Sequence, residues 1–230
     1  GASGVLGTLE VKRAAPDGYT LLFGTSSTHV LHHLIHARPQ YDALEDFAYV
    51  GVLGGAPLVL AVAPTMPRTL KSVFIAAKVN PGKYNYGSPG NGTMMHITAE
   101  RLKQLSGAPI THVPYKGSAP ALQDLIGGSI EMTVDTLGSL LPHHQAGRVR
   151  ILGVSSARRL ALAPDIATVA ESADLAQAFE AMLWNVVTAP RETPPAVMQQ
   201  LADATRRVLA DATLRRTLES QAMFADPHLG

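Results

Sequence analysis

Short apolar runs alternate along the chain with segments in which apolar residues recur every three or four positions. The short runs are bounded by Gly, Pro, Asp or Asn, which is typical of strands. They predict strands at 20–24, 47–53, 57–63, 84–87, 110–113, 130–135, 149–154 and 182–189. The segments between them have the spacing of amphipathic helices.

Several helix boundaries are also visible in the sequence. Thr69 is placed to cap one helix, and Ser118, with Pro120 in the first turn, is placed to cap another. Two further helices are predicted near the end of the chain, at 195–210 and 211–221. Because strands and helices alternate, we predict an α/β fold with largely parallel sheets.

Two Pro-containing runs, at 54–64 and 184–190, have the pattern of strands that cross between domains. We therefore predict a first, discontinuous and incomplete α/β domain at 1–62 and 188–230. A second α/β domain at 63–187 is inserted into it. The cleft between two such domains is a usual place for a small-ligand site.

Composition narrows the function classes. The 230 residues include 19 Lys and Arg against 18 Asp and Glu, and a net charge of +1 argues against nucleic-acid binding. The absence of cysteine excludes disulfides, thiol catalysis and Cys-ligated metals. No apolar run approaches the ~20 residues of a membrane helix, so we expect no direct membrane insertion. The first residues also lack the basic start and apolar region of a signal peptide.

A glycine-rich loop joins the predicted strand 84–87 to a predicted helix. Gly87 and Gly92 have P-loop spacing, but Thr93 stands where a P-loop has Lys, and Met95 replaces the third glycine of a dinucleotide fingerprint. A small anion such as a carboxylate therefore suits this loop better as a ligand than a nucleotide does. Unpaired N–H groups at the helix start and the hydroxyls of Ser88 and Thr93 would bind it. The alternative is that the glycines only make a tight turn.

Polar residues also follow other predicted strands. Tyr115 and Lys116 follow one, and Asp135 ends another, so both groups are expected at the same sheet edge as the glycine loop. The alternatives are core packing for Tyr115, a solvated surface for Lys116 and helix capping for Asp135. In the other domain, Thr25 and Ser26 would form the opposing wall of the cleft.

Histidines are concentrated at 29, 32, 33 and 36, in two pairs with i,i+4 spacing. Zinc is conceivable, but there is no third ligand, and solvated helix histidines are the favoured interpretation. No Gly-x-Ser-x-Gly elbow or Ser–His–Asp set is present. We therefore expect no metal, no cofactor and no catalytic residues.

Several motifs occur in a fixed order that covers essentially the whole chain: APDGYTLL from Ala15, YGSPGNGT from Tyr86, VPYKG from Val113, LGVSSARR from Leu152 and TVAE from Thr168. Together they resemble the Bug family of periplasmic solute receptors, also called TctC-like. The resemblance implies a type II periplasmic-binding-protein fold whose two α/β domains close on a ligand. The implied ligand is a small carboxylate: a dicarboxylate, a tricarboxylate, an acidic amino acid or a similar acid.

The resemblance also implies roles for individual residues. The implied ligand residues are Thr25 and Ser26 from the first domain, and Ser88, Gly90, Asn91, Gly92, Thr93, His96, Tyr115, Lys116, Gly117 and Asp135 from the second. The implied partners are the membrane components of a tripartite tricarboxylate transporter, or a sensor protein, in the periplasm.

Compared with the family, the chain is expected to lack the N-terminal strand–loop–helix and the end that follows 226–230. Two alternatives stay open: a truncated, binding-impaired relative, and an enzyme that acts on small acids in the same cleft.

Overall fold

The structure, a computed structural model, describes residues 2–224; the predicted chain end at 226–230 lies outside them. Within this part of the chain the strands are β1 (Leu22–Thr25), β2 (Phe47–Val62), β3 (Asn85–Ser88), β4 (Thr111–Pro114), β5 (Met132–Thr136), β6 (Arg150–Val154) and β7 (Met182–Pro190). The α-helices are α1 (Val5–Arg13), α2 (His32–Ile35), α3 (Leu70–Val79), α4 (Met94–Ser106), α5 (Ser118–Gly127), α6 (Leu137–Gln145), α7 (Val169–Ala173), α8 (Pro195–Ala210) and α9 (Ala212–Ser220). Among the described residues, no helix combines the length and hydropathy needed to cross a bilayer.

The chain divides into two compact units. The first consists of the described part of Gly1–Ala56 and Leu183–Gly230, and the second of Pro57–Met182. Domains bounded at residues 62 and 188 stay a prediction.

The first unit is built around a small apolar core. Strand β1 pairs antiparallel with β7, with Leu22 opposite Thr188. Val5 and Val11 of α1 pack with Leu22 and Phe47, and all four side chains are buried. Thr8 of α1 is buried with the two valines, whereas Glu10 and Arg13 are exposed.

The second unit contains a sheet in the order β6-β2-β5-β3-β4. Strand β3 runs parallel to both β4 and β5, whereas β2 runs antiparallel to β5 and β6. The prediction of largely parallel sheets is therefore wrong for β2. This strand arrives from the first unit rather than through a crossover helix, which is the connection that makes sequential strands parallel.

Two helix starts illustrate how local sequence decides the elements. Thr69 caps α3 as predicted, because its side chain accepts a hydrogen bond from the Ser72 N–H. The prediction that Ser118 caps α5 is wrong: Gly117 is the N-cap, with φ 123°, and Ser118 is the first helical residue. The Ser118 side chain instead bonds the carboxyl group of Asp135.

The runs predicted as separate strands at 47–53 and 57–63 form one continuous strand, β2. Where β2 enters the second unit, the Leu58 N–H donates to the hydroxyl of Ser155 at 2.9 Å. The same hydroxyl lies 2.6 Å from the carbonyl oxygen of Ala181, near the point where the chain leaves this unit. Ser155 therefore bonds both the incoming and the outgoing segment.

Candidate functional site

Three loops meet at one edge of the sheet in the second unit. Ser88 lies opposite Pro114 on the parallel pair β3–β4, and Gly87 lies opposite Thr133 on the parallel pair β3–β5. The carboxyl ends of these three strands therefore lie side by side. The predicted convergence of the glycine loop, the Tyr115–Gly117 loop and Asp135 is confirmed, while their role in binding a ligand stays a prediction.

Backbone hydrogen bonds join two of these loops directly. The Tyr115 N–H donates to the Ser88 carbonyl at 3.0 Å, and the Gly117 N–H donates to the Pro89 carbonyl at 3.1 Å. The Tyr115 hydroxyl donates to Asp124 Oδ2 at 2.7 Å, and burial together with this carboxylate raises the pKa of Tyr115 to about 12. Tyr115 therefore anchors its loop to α5, whereas Lys116 is exposed.

The glycine loop needs its glycines for conformational reasons. Gly90 has φ 147° and Gly92 has φ 75°, values that residues with a Cβ rarely adopt. Asn91 between them is exposed. The tight turn is thus a real property of this loop, and it places the loop directly before the N-terminus of α4.

Polar groups of the loop pair largely with one another. The Gly90 N–H donates to Ser88 Oγ at 3.3 Å, and Thr93 Oγ1 donates to the Gly90 carbonyl at 2.8 Å. Thr93 Oγ1 also accepts from the His96 N–H, as the N-cap of α4. The expectation of unpaired N–H groups is wrong for Gly90, Gly92, Thr93 and His96. These bonds fix the shape of the loop at the positive end of the helix dipole.

His96 contacts the loop from one turn inside α4. Its Nδ1 accepts a hydrogen bond from the Gly92 N–H at 3.1 Å. Its ring stacks on that of His112, with 4.2 Å between ring centroids and 22° between planes. Burial lowers the pKa of His96.

His112 is a site residue that the sequence analysis missed. Its Nε2 lies 2.7 Å from Ser88 Oγ, and its ring is stacked between those of His96 and Tyr86. Burial, assisted by the adjacent His96, lowers the pKa of His112 to about 4. Successive side chains of a strand point to opposite faces of the sheet, and the pairing of β3 with β4 places His112 beside Tyr86. This alternation in the predicted strand 110–113 is the sequence signal that could have indicated His112.

A half-buried charge network supports this stack on the α4 side. The Tyr86 hydroxyl donates to Glu100 Oε1 at 2.6 Å, and Lys103 Nζ donates to the same oxygen at 2.7 Å. Burial, together with the Glu100 carboxylate, raises the pKa of Tyr86. Burial alone would raise the pKa of Glu100, but the bonds from Lys103 and Tyr86 lower it.

Asp135 is buried at the end of β5. Its Oδ1 accepts from the Thr136 N–H at 2.7 Å, and its carboxyl group also bonds the Ser118 side chain. Burial raises its pKa despite these bonds. The capping alternative is not observed, because Thr136 is the N-cap of α6 and makes no side-chain cap bond.

In the first unit, Thr25 ends β1 and its N–H donates to Thr28 Oγ1 at 3.0 Å. Ser26 is buried, and its hydroxyl has no hydrogen-bond partner among the described residues. Both residues stay predicted ligand residues.

The expectation of solvated histidines is wrong for His29 and His32, which are both buried. The ring of His29 packs against Phe47, with 5.6 Å between ring centroids, and that of His32 stacks on Tyr41 at 4.5 Å. Phe47 and Tyr41, which are distant in sequence, therefore bury the two rings. Helical spacing alone could not show that these histidines are not on the surface. Within residues 2–224, no cluster of three or more His, Asp or Glu residues could hold a metal ion.

Comparison with known proteins places this arrangement in a family. The profile of the tripartite tricarboxylate transporter family receptor, TctC, matches residues 1–227. A protein of Pseudomonas sp. strain P51, encoded in the tcbD–tcbE intergenic region, is 35% identical over 211 residues, which make up 91% of this chain and 62% of that protein.

Two solved structures from Rhodopseudomonas palustris are similar over nearly the whole chain. Rpa4515 with adipate has a TM-score of 0.92 and 31% identity, over 98% of this chain and 75% of the other. MatC (Rpa3494) with bound malate has a TM-score of 0.90 and 28% identity, over 98% of this chain and 76% of the other.

The chain thus spans less than two thirds of the length of the Pseudomonas relative, and the family profile matches nearly all of this chain. The fold matches periplasmic binding proteins of the TctC type. The chain belongs to the tripartite tricarboxylate transporter receptor (Bug/TctC) family.

Proposed function

We propose that this chain is the ligand-capturing part of a periplasmic receptor. It binds a small carboxylate and presents it to the membrane components of a tripartite tricarboxylate transporter or to a sensor protein. Family membership supports the receptor role, and the relatives with adipate and malate support the ligand class.

The observation that carries the proposal is the glycine loop before α4. The loop is held in a fixed shape by the hydroxyls of Ser88 and Thr93, at the positive end of a 13-residue helix. A carboxylate is stabilised at such a helix start. The neighbouring loop adds the exposed cation Lys116.

Asp135 refines the ligand class. A buried carboxyl group beside an anion-binding loop disfavours a second negative charge close to it and favours a hydrogen-bond donor. We therefore expect hydroxy acids and acidic amino acids, whose hydroxyl or ammonium group donates a hydrogen bond, to bind more tightly than plain dicarboxylates of equal length.

Isothermal titration calorimetry of the 230-residue chain tests this function. The probes are malate, aspartate, citrate and adipate, and succinate serves as the plain counterpart of malate. We expect saturable one-to-one binding of at least one acid, with malate tighter than succinate. If the folded chain gives no heat with any of the five acids, the proposal is overturned. If succinate binds as tightly as malate, only the role of Asp135 is overturned.

A further inference from the structure

The imidazole of His96 turns back onto the loop that precedes its helix. The Gly92 N–H donates to Nδ1 at 3.1 Å. A backbone N–H can only donate, so Nδ1 must offer its lone pair and the ring proton must sit on Nε2. The observed loop therefore requires a neutral His96.

The second ring of the stack holds a second loop residue. His112 Nε2 lies 2.7 Å from the hydroxyl of Ser88, and the His112 ring stacks on His96 with 4.2 Å between centroids. Two imidazolium rings at that distance would repel each other. Both ends of the glycine loop are therefore bonded to one pair of rings that is stable when uncharged.

The charged and titratable groups around the pair are known. Lys103 and Glu100 act from α4 and Tyr86 from β3. Lys103 disfavours protonation of the histidines and Glu100 favours it, while burial is the largest influence. The pKa values of both rings are therefore lowered from the ordinary value for histidine.

We propose that His96 and His112 are positioning residues for the glycine loop, and that His96 holds the loop in its carboxylate-binding shape only while its ring is neutral, so that carboxylate affinity falls on acidification. This inference rests on the proposed function of the same loop. It gives His96 a different role from the direct ligand contact that the sequence implied.

The two roles of His96 predict opposite changes in carboxylate affinity on acidification. A histidine that touches the bound carboxylate binds it more tightly when protonated, because the new charge attracts the anion. A histidine that holds the loop through a lone pair loses that bond when protonated. The direction of the pH dependence therefore separates them.

A pair of amide substitutions makes the test specific to one ring nitrogen. His96→Asn places an amide oxygen near the position of Nδ1, where it accepts from the Gly92 N–H and does not titrate. His96→Gln carries its amide one bond further, near the position of Nε2. Asn therefore preserves a positioning role, and Gln preserves a ligand contact through Nε2.

The measurement is the Kd for malate by calorimetry from about pH 7.5 to about pH 5. Comparing each variant with the unsubstituted chain at the same pH cancels the ionisation of malate itself. We expect the Asn variant to equal the unsubstituted chain at the upper pH and to bind about 5- to 10-fold more tightly than it at the lower pH. We expect the Gln variant to be weak throughout.

His144 provides the matched control. Its Nδ1 accepts a hydrogen bond from the Ile151 N–H at 3.3 Å, which is the same chemistry away from the glycine loop. His144→Asn should reproduce the pH profile of the unsubstituted chain. A His144 variant that also flattens the profile would overturn the assignment to His96.

A ligand-free readout separates the inference from the proposed function. Nitrogen NMR reports the His96 tautomer, and hydrogen exchange reports the Gly92 amide. We expect the Nε2–H tautomer and a Gly92 amide that loses protection as His96 titrates. Loss of protection without binding of any of the five acids would overturn the proposed function and the affinity change, and would leave the positioning role standing.

Three results would overturn the positioning role. One is a Gly92 amide that does not respond to the titration of His96. Another is rescue by Gln but not by Asn. The third is an affinity for malate that rises on acidification relative to the Asn variant.

Discussion

Each unit of the protein contains a pair of histidines whose pKa values are lowered by burial, and the two pairs are held differently. His29 and His32 of the first unit pack among aromatic rings, and the Nε2 atom of each lacks a hydrogen-bond partner among the described residues. In the second unit, His96 and His112 bond Gly92 and Ser88 through ring nitrogens. Burial acts on both pairs, and His29 Nδ1 also bonds Thr28 Oγ1 at 2.9 Å, but only the second pair bonds the glycine loop.

This contrast separates burial from function. An unpaired buried nitrogen costs stability, whereas a buried nitrogen with a partner fixes that partner in space. The Nε2 atoms of the first pair therefore position no partner, whereas the ring nitrogens of the second pair position residues of the glycine loop. Lowered pKa values alone would not distinguish the histidine pair that bonds the glycine loop from the pair that does not.

Acidification should produce the largest effect, because it acts on both pairs at once. The folded-state pKa values lie below the ordinary 6.5, so the unfolded chain takes up protons first. The free energy of unfolding is then maximal above about pH 6.5 and falls as the pH decreases, with the contribution of His112 continuing to about pH 4. Urea unfolding at a series of pH values measures this, and a flat profile between about pH 6.5 and 5 would contradict it.

Ser88→Ala tests the second pair at its contact with the loop. The substitution removes the partner of the half-buried His112 Nε2 and the acceptor of the buried Gly90 N–H. We expect the Kd for malate to rise about 10- to 100-fold, since a buried unsatisfied group costs about 1–3 kcal/mol. Ser72→Ala on the exposed start of α3 should leave the Kd unchanged. Equal affinities for the two variants would contradict the loop assignment.

Replacing one histidine of each pair by phenylalanine tests the comparison between the two pairs. His32→Phe keeps a ring against Tyr41 and removes the unpaired Nε2, so we expect an unchanged or higher free energy of unfolding. His112→Phe keeps the stack but removes the hydrogen bond between Ser88 Oγ and the ring Nε2. We expect it to cost about 1 kcal/mol and to weaken malate binding about 5-fold. Equal losses of unfolding free energy in the two variants would contradict the distinction between the two histidine pairs.

Tyr115→Phe should give the smallest change. It removes the hydrogen bond from the hydroxyl to Asp124 but keeps the ring and the backbone bond to Ser88. We expect a loss of about 1 kcal/mol or less in unfolding free energy and less than a 3-fold change in the Kd for malate. A larger loss of affinity would indicate that the hydroxyl itself contacts the ligand.

The sequence predicted the parts of the fold that depend on local chemistry. The cap at Thr69, the glycine loop and the meeting of three strand ends follow from side-chain preferences and strand order, which act over a few residues. The strand direction of β2 was not predictable in this way. It depends on which unit the strand comes from, and Gly54 and Gly55 suggested a break that the structure does not have.

The site was predictable only where its contacts are local. Gly90, Gly92 and Thr93 form a continuous motif, so their arrangement could be inferred. His112 meets Ser88 across 24 positions of sequence, and neither residue alone indicates the contact. The roles of His29 and His32 likewise depend on rings from later segments.

The Ser155 hydroxyl holds the two ends of the second unit close together. It bonds Leu58 at the entry to the second unit and Ala181 at the exit, so this continuous segment begins and ends at one place. A segment whose ends meet can be inserted into a host chain, or removed from it, without being stretched. The fragment Pro57–Met182 is therefore suited to exist as a transplantable module with its own core and its own glycine loop.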